Sequence, residues 1–248
     1  MTDTKPGPNR IPHDYFAGDV AARYDDDHRR DDAGTAVSVL AELAAGGPAL
    51  EFAIGTGRVA LPLAETGIKV LGIELSPDMI AQLRAKPGGG LPVVEGDITT
   101  AHVPGSFNLV YLVFNTINNL TRQEDQIACF ANAARHLSPD GAFVVEVQVP
   151  PLQRLPEGER LLAFACDDTY FGTDEIDVVT QSFLSHHCWS DANETRRLSI
   201  PMRYVWPSEL DLMARLAGMT LAHRWGDRTK APFSATSRSH VSVWRKDA

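Results

Sequence analysis

Two periods of apolar positions alternate along this chain, and the changes of period mark its elements. Residues 1–14 carry Pro6, Pro8 and Pro12 among polar neighbours, with nothing periodic to bury, which predicts a mobile arm. Tyr15, Phe16, Val20 and Tyr24 then fall on a first helical stretch, and the charged run DDDHRRDD at 25–32 separates it from a second in which Val37, Leu40 and Leu43 recur three apart. Beyond Gly46, Gly47 and Pro48, short apolar runs at 49–54, 69–73, 92–95, 109–114 and 142–149 read as strands, the last following the turn SPDG. Helical segments at 59–65, 77–86 and 122–136 lie between them. Ser76 ahead of Pro77 is a helix start, because a serine hydroxyl accepts from the free N–H groups of the first turn and the fixed φ of proline suits that turn. The run Leu109 to Phe114 is apolar at every position, as a strand covered on both faces requires. Such regular alternation predicts an α/β protein with a parallel, doubly wound sheet. From Pro150 the texture changes: residues 161–205 contain β-like segments without helical periods between them, so antiparallel strands are expected beside the sheet, as a lid or substrate wall. A helix at 207–216 and a strand pair at 220–225 and 240–244 close the chain.

Composition sharpens this picture mainly by exclusion. With 44% apolar and 22% charged residues among 248, the chain is globular, and its length suits one domain with a sizeable insertion. No apolar run approaches the roughly 20 residues that span a bilayer, and the polar start lacks the apolar stretch of a signal peptide, so a cytoplasmic protein with no membrane partner is expected. Cys129, Cys166 and Cys188 are odd in number and widely spaced, which leaves neither a disulfide framework nor a CxxC metal site. Net charge is −9, and no stretch concentrates Lys and Arg, so nucleic acid is a poor candidate substrate.

The chemistry concentrates in EFAIGTGRVALPLAETGIKVLGIELS, where Gly55-Thr56-Gly57 joins a strand to a helix and Glu74 sits at the tip of the next strand. Glycines there permit a tight turn and close approach of a ligand, and an acid at the second tip accepts hydrogen bonds from paired ribose hydroxyls. By itself Gly-x-Gly followed by Ala60 also fits a nicotinamide or flavin dinucleotide. Two further acids discriminate. Glu51, four residues before Gly55, can pair with an ammonium but would repel a pyrophosphate; Asp97 in EGDI can accept from an exocyclic adenine amine. A cationic adenosyl ligand is therefore favoured over a dinucleotide. The Tyr-x-x-x-Lys pair usual for the competing oxidoreductase reading is missing, whereas a scaffold that binds such a ligand without turnover remains open.

With these motifs in hand, residues 49–149 resemble the class I S-adenosylmethionine-dependent methyltransferases, small-molecule enzymes of bacterial type. The matching segments, in the family's order, are EFAIGTGR, GIELS, EGDI, LVYLVFNTINNL and LSPDGAFVVEV. The resemblance implies a Rossmann-like sheet of seven strands, the last antiparallel, and S-adenosyl-L-methionine as cofactor. It divides the chain into a helical cover (1–46), the cofactor-binding core (47–150), the β-rich insertion (151–206) and the C-terminal part of the sheet (207–248). Carried onto this sequence, it places Glu51, Ala53, Gly55, Thr56 and Gly57 beside the amino acid part of the cofactor and Glu74 with Leu75 at the ribose. Asp97 and Ile98 fall at the adenine, Phe114 beneath the methyl region, and Tyr24 in the cover, within reach of the cofactor.

Methyl transfer from a sulfonium is an in-line displacement, so the protein must align a nucleophile, exclude water and set its protonation state. His186 and His187 in the insertion are the first choice of base, since alternation along a strand turns one of them inward, and Tyr15 is a phenol able to orient the acceptor. Asn115, Asn118 and Asn119 follow the fourth strand, where acceptor and methyl donor would meet, and Tyr170 and Trp189 belong to an aromatic set suited to a partly apolar or sugar-like molecule. The expected acceptor is a small molecule, with an amine nitrogen first, oxygen next and carbon third. No metal is expected, and a homodimer is compatible with the reading.

Overall fold

The structure is a computed structural model that describes residues 15–27, 33–190 and 194–247; the arm at 1–14 and part of the charged run lie outside them. Two helices, α1 (Asp19–Asp27) and α2 (Ala33–Ala44), precede an alternating series: β1 (Ala49–Phe52), α3 (Ala60–Glu65), β2 (Val70–Glu74), α4 (Pro77–Arg84), β3 (Val93–Glu95), β4 (Phe107–Leu112), α5 (Gln123–His136) and β5 (Leu137–Gln148). Ser76 caps α4 as the sequence predicts, its hydroxyl accepting from the Met79 N–H at 3.3 Å. After the insertion come α6 (Pro207–Leu216), β10 (Met219–Trp225) and β11 (Ser239–Lys246).

The main sheet has seven strands in the order β10-β11-β5-β4-β1-β2-β3. Strands β1 to β5 pair in parallel, and the last strand, β11, runs antiparallel to both its neighbours. Successive side chains serve opposite faces. In β4, Val110 and Leu112 join the core on which α5 and α6 pack, while Leu109 and Tyr111 join the one beneath α2 and α3. This two-sided burial explains the unbroken apolar run the sequence shows there.

One local expectation changes. The SPDG segment is a bulge inside β5 instead of a turn before it: Phe107 pairs with Leu137 and Leu109 with Ala142, so residues 138–141 stand opposite Asn108 alone. Asp140 takes the left-handed conformation there (φ 59°), and a Cβ on Gly141 would stand 2.9 Å from the Ser138 carbonyl oxygen.

Residues 161–203 form a separate antiparallel meander of four strands, β6 (Leu161–Cys166), β7 (Tyr170–Asp177), β8 (Ser182–Ser190) and β9 (Thr195–Arg203). Asp167 turns β6 into β7, its carboxylate accepting from the N–H groups of Thr169 and Tyr170 at 2.8 Å each, and Asp177 opens the next turn through the Val179 N–H at 2.9 Å. No helix among the described residues is long and apolar enough to cross a membrane.

Candidate functional site

The parallel strands end together at one edge of the sheet, and a trough runs along that edge. Its first wall is the loop after β1. Ala53, Gly55 and Gly57 all have positive φ (54°, 56° and 77°). A Cβ at Gly57 would lie 2.3 Å from the Leu83 side chain, so this glycine also seats the loop on α4. Gly55 is less crowded, its virtual Cβ 3.3 Å from Met79.

Two buried carboxylates flank this loop. Glu74, 6% exposed, accepts from the Gly55 N–H at 2.8 Å and the Ser76 N–H at 2.9 Å, which ties the tip of β2 to the loop. Burial raises its pKa, against the pull of those N–H groups. Glu51 on β1 is 5% exposed and accepts a 2.9 Å hydrogen bond from the Tyr111 hydroxyl on β4. Burial pushes its carboxyl up to about 8. A cavity of about 280 Å³ continues the trough past Glu74, Leu75, Asp97 and Ile98, with Phe16 from the N-terminal segment on its far side. Asp97 is anchored by the Thr99 N–H (2.8 Å) and hydroxyl (2.7 Å).

The N-terminal helix closes over the loop through polar ties. The Thr56 hydroxyl donates to Asp25 at 2.6 Å, and the Lys86 ammonium stands 2.5 Å from the other Asp25 oxygen and donates to the Thr56 carbonyl at 2.7 Å. Tyr24 lines the trough beside Glu51, Thr56, Arg58 and Phe114.

Phe114 and Asn115, just beyond β4, are both left-handed (φ 58° and 63°), a conformation that costs energy for side chains other than glycine. The Phe114 ring is held between the guanidinium groups of Arg58 (4.0 Å) and Arg228 (4.3 Å), and Arg228 pairs with Glu146 at 2.7 Å. Past Phe114 lies a second cavity of about 270 Å³, which shares Tyr24, Arg58, Phe114 and Thr116 with the trough and is walled on its other side by the four-stranded sheet.

The structure separates the two adjacent histidines. His187 lines the second cavity with its neighbours Phe183 and Ser185 on β8, and its ring nitrogens meet the Tyr170 hydroxyl (2.6 Å) and the Ser185 hydroxyl (3.2 Å). His186 faces the other way, toward Ser199 (2.8 Å) and Glu175 (3.8 Å), and does not line the cavity. Asn115 and Asn119 line this cavity, whereas Asn118 is fully buried and its amide finds no partner among the described residues. Tyr170 and Trp189 stack against His187 but do not line the cavity, and Trp189 opens on a separate cleft with Asp27 and Arg196. The Tyr15 hydroxyl is buried without a partner among the described residues, and burial raises its pKa; it lines neither the trough nor either cavity. Among the described residues, no group of three or more His, Cys, Asp or Glu is placed to hold a metal ion.

Sequence reading missed Phe16, Arg58, Asp174 and Ser185, all of which line the site. Arg58 directly follows the glycine loop and was findable from that position. Asp174 and Ser185 carry no sequence signal, since polar residues fall on both faces of their strands.

Comparison with known proteins finds relatives that cover most of the chain. A family model described as a methyltransferase domain matches residues 49–141. The solved CcbJ methyltransferase from Streptomyces caelestis is 34% identical, with a TM-score of 0.86 over 96% of this chain and 100% of that one. The cypemycin N-terminal methyltransferase of a Streptomyces species is 29% identical over 203 residues, 78% of this chain and 81% of that protein. A dTDP-3-amino-3,6-dideoxy-alpha-D-glucopyranose N,N-dimethyltransferase from Streptomyces fradiae is 30% identical over 142 residues, 54% of this chain and 55% of its own length.

Proposed function

The chain belongs to the class I S-adenosylmethionine-dependent methyltransferases, and from that premise we propose that it methylates an amine nitrogen of a small natural-product or sugar-like acceptor. The observation that carries the reading is the cavity walled by the four-stranded sheet, which meets the trough at Phe114 and gives an acceptor its own compartment. The nitrogen preference draws on the two curated relatives, both named for transfer to an amine.

The residues of the trough fit the family's cofactor. In this reading Glu51 receives the ammonium of the amino acid part, and Gly55, Thr56 and Ala53 line that end with Tyr24, while Gly57 seats the loop on α4. Glu74, oriented by the Gly55 and Ser76 N–H groups, receives the ribose hydroxyls beside Leu75. Asp97 and Ile98 take the adenine, and Phe114 lies under the sulfonium region, its ring fixed by Arg58 and Arg228. Bound there, S-adenosylmethionine supplies an electrophilic methyl group on a positively charged sulfur. The protein's own work is to exclude water, orient the amine and accept its proton. His187 is the group we assign to the proton, which would reach its Nε2 through the Ser185 hydroxyl, being the one of the three expected proton-handling residues that lines the cavity. Asn115 and Asn119 offer neutral hydrogen bonds to the acceptor.

The test is transfer from methyl-labelled S-adenosylmethionine to paired amines and alcohols, including amino sugars and peptide N-termini, with S-adenosylhomocysteine release measured in parallel. The expected result is label on nitrogen. Label on oxygen or carbon would redirect the acceptor class, and cofactor binding without release across the whole panel would make the protein a scaffold.

A further inference from the structure

Asp174 is a charged residue in a wall that is otherwise largely apolar. It sits on β7, 7% exposed, in the lining of the acceptor cavity near Leu162, Phe183, Ile200 and Met202. Its Oδ1 is buried with no hydrogen-bond partner among the described residues. Ser185 is its partner across the β7–β8 ladder; the Ser185 hydroxyl meets His187 Nε2 at 3.2 Å, and His187 Nδ1 meets the Tyr170 hydroxyl at 2.6 Å. Asp174 thus stands beside a hydrogen-bonded series in the cavity wall, with one carboxylate oxygen that has no donor among the described residues.

A buried carboxylate oxygen without a donor is costly, and such atoms are rare unless a ligand completes them. Burial raises the pKa of this carboxyl, against the pull of the nearby Ser185 hydroxyl and the field of His186. The ligand that relieves the cost most is a cation carrying N–H donors, since it supplies both the missing hydrogen bond and the opposite charge. The Phe164 ring in the same wall favours a cation as well.

We infer that Asp174 is a specificity-determining residue that binds the acceptor through an ammonium group, so that the cavity selects primary or secondary aliphatic amines over neutral molecules of the same shape. The inference rests on the acceptor assignment above and deepens it. Aliphatic amines enter protonated near neutral pH, and Asp174 serves their capture and orientation. Removal of the proton before transfer falls to a separate group.

Asp174→Asn, made in the full chain, keeps the shape and removes the charge. With amines that the unaltered protein methylates, the variant should raise KM about tenfold or more, the size of one charge-assisted hydrogen bond, with kcat changed far less. Its preference for an amine over the matching alcohol, measured by calorimetry on protein loaded with S-adenosylhomocysteine, should fall by a similar factor. S-adenosylhomocysteine affinity should stay the same, and the melting temperature should hold or rise, because an uncompensated buried charge has gone. Unchanged KM and unchanged amine preference would overturn the inference, as would a fall in melting temperature together with cofactor affinity, which marks a structural role. The two readings fail separately. Label found on oxygen while the variant still loses amine binding removes the nitrogen assignment and leaves Asp174 in place. Amines methylated equally well by both proteins remove Asp174 alone, and an unaltered protein that binds no amine removes both.

Discussion

Glu51 shows how one side chain couples folding, protonation and ligand. Its carboxyl titrates near 4.5 in an unfolded chain and at about 8 in the folded site, because burial disfavours the charged form more than Tyr111 and Arg58 favour it. Between those two values the folded protein binds more protons than the unfolded chain, so stability must fall as pH rises through that window. Glu74, raised in the same direction, adds to the slope. The ligand-free protein should therefore melt at lower temperature at pH 8 than at pH 5 (about three units of titration), and Glu51→Gln should flatten that dependence. A cation placed against Glu51 reverses the preference and expels the proton. Calorimetry of S-adenosylmethionine binding at neutral pH, in buffers of different ionisation heat, should show proton release that Glu51→Gln abolishes; buffer-independent heats would remove Glu51 from the ammonium contact.

Residue by residue, the sequence exposed the acids and glycines of the site but not what each one touches. Glu51 and Tyr111 lie 60 positions apart, and no local pattern pairs them. Gly57 reads as clearance for a ligand, yet a Cβ there would strike Leu83, a contact created only when α4 packs beneath the loop. Strand alternation required one of His186 and His187 to face inward, and the choice waited on which face of β8 meets the core.

At the level of elements, α1 is held by charge and hydrogen bonds more than by burial. Ala21 is its one buried residue, and its ties to the core run through Asp25, Lys86 and Thr56. The Asp25 carboxyl feels burial first, but the hydrogen bonds from Lys86 and Thr56 outweigh it and lower its pKa. These side chains are partly exposed (29% for Lys86, 42% for Asp25), so the pair is worth less than about 1 kcal/mol to global stability. Lys86→Ala should leave the melting temperature nearly unchanged while weakening S-adenosylhomocysteine binding several-fold, since the helix then covers the loop less of the time. A large loss of stability would make α1 part of the core. The alternating core was legible because both periods are long and regular there. The insertion was legible only as β-rich: LLAFACDDTYF reads as one segment, but Asp167 folds it into a hairpin through its own carboxylate. The SPDG bulge escaped for the same reason, since its register depends on Asn108 in another strand.

Over the whole molecule, three parts of the chain converge on one edge of the sheet, and an ion pair ties two of them together. Asp27 at the end of α1 pairs with Arg196 on β9 at 2.6 Å, across 169 residues of sequence, and the Arg196 guanidinium lies 4.0 Å over the Trp189 ring. Both partners are largely buried, at 13% and 21% exposure, so removing one side leaves an uncompensated charge on the other. It joins the helix that covers the trough to the sheet that walls the second cavity, whereas Lys86 joins the same helix to the core. The two ties should therefore separate by ligand. Arg196→Gln should lower kcat/KM for an acceptor about tenfold, equivalent to ~1.4 kcal/mol, with S-adenosylhomocysteine affinity changed little, because the Asp25 contact still seats the helix. Equal losses for acceptor and cofactor would show that helix and wall move as one body, and no loss for either would reduce the Asp27–Arg196 contact to a passive bridge.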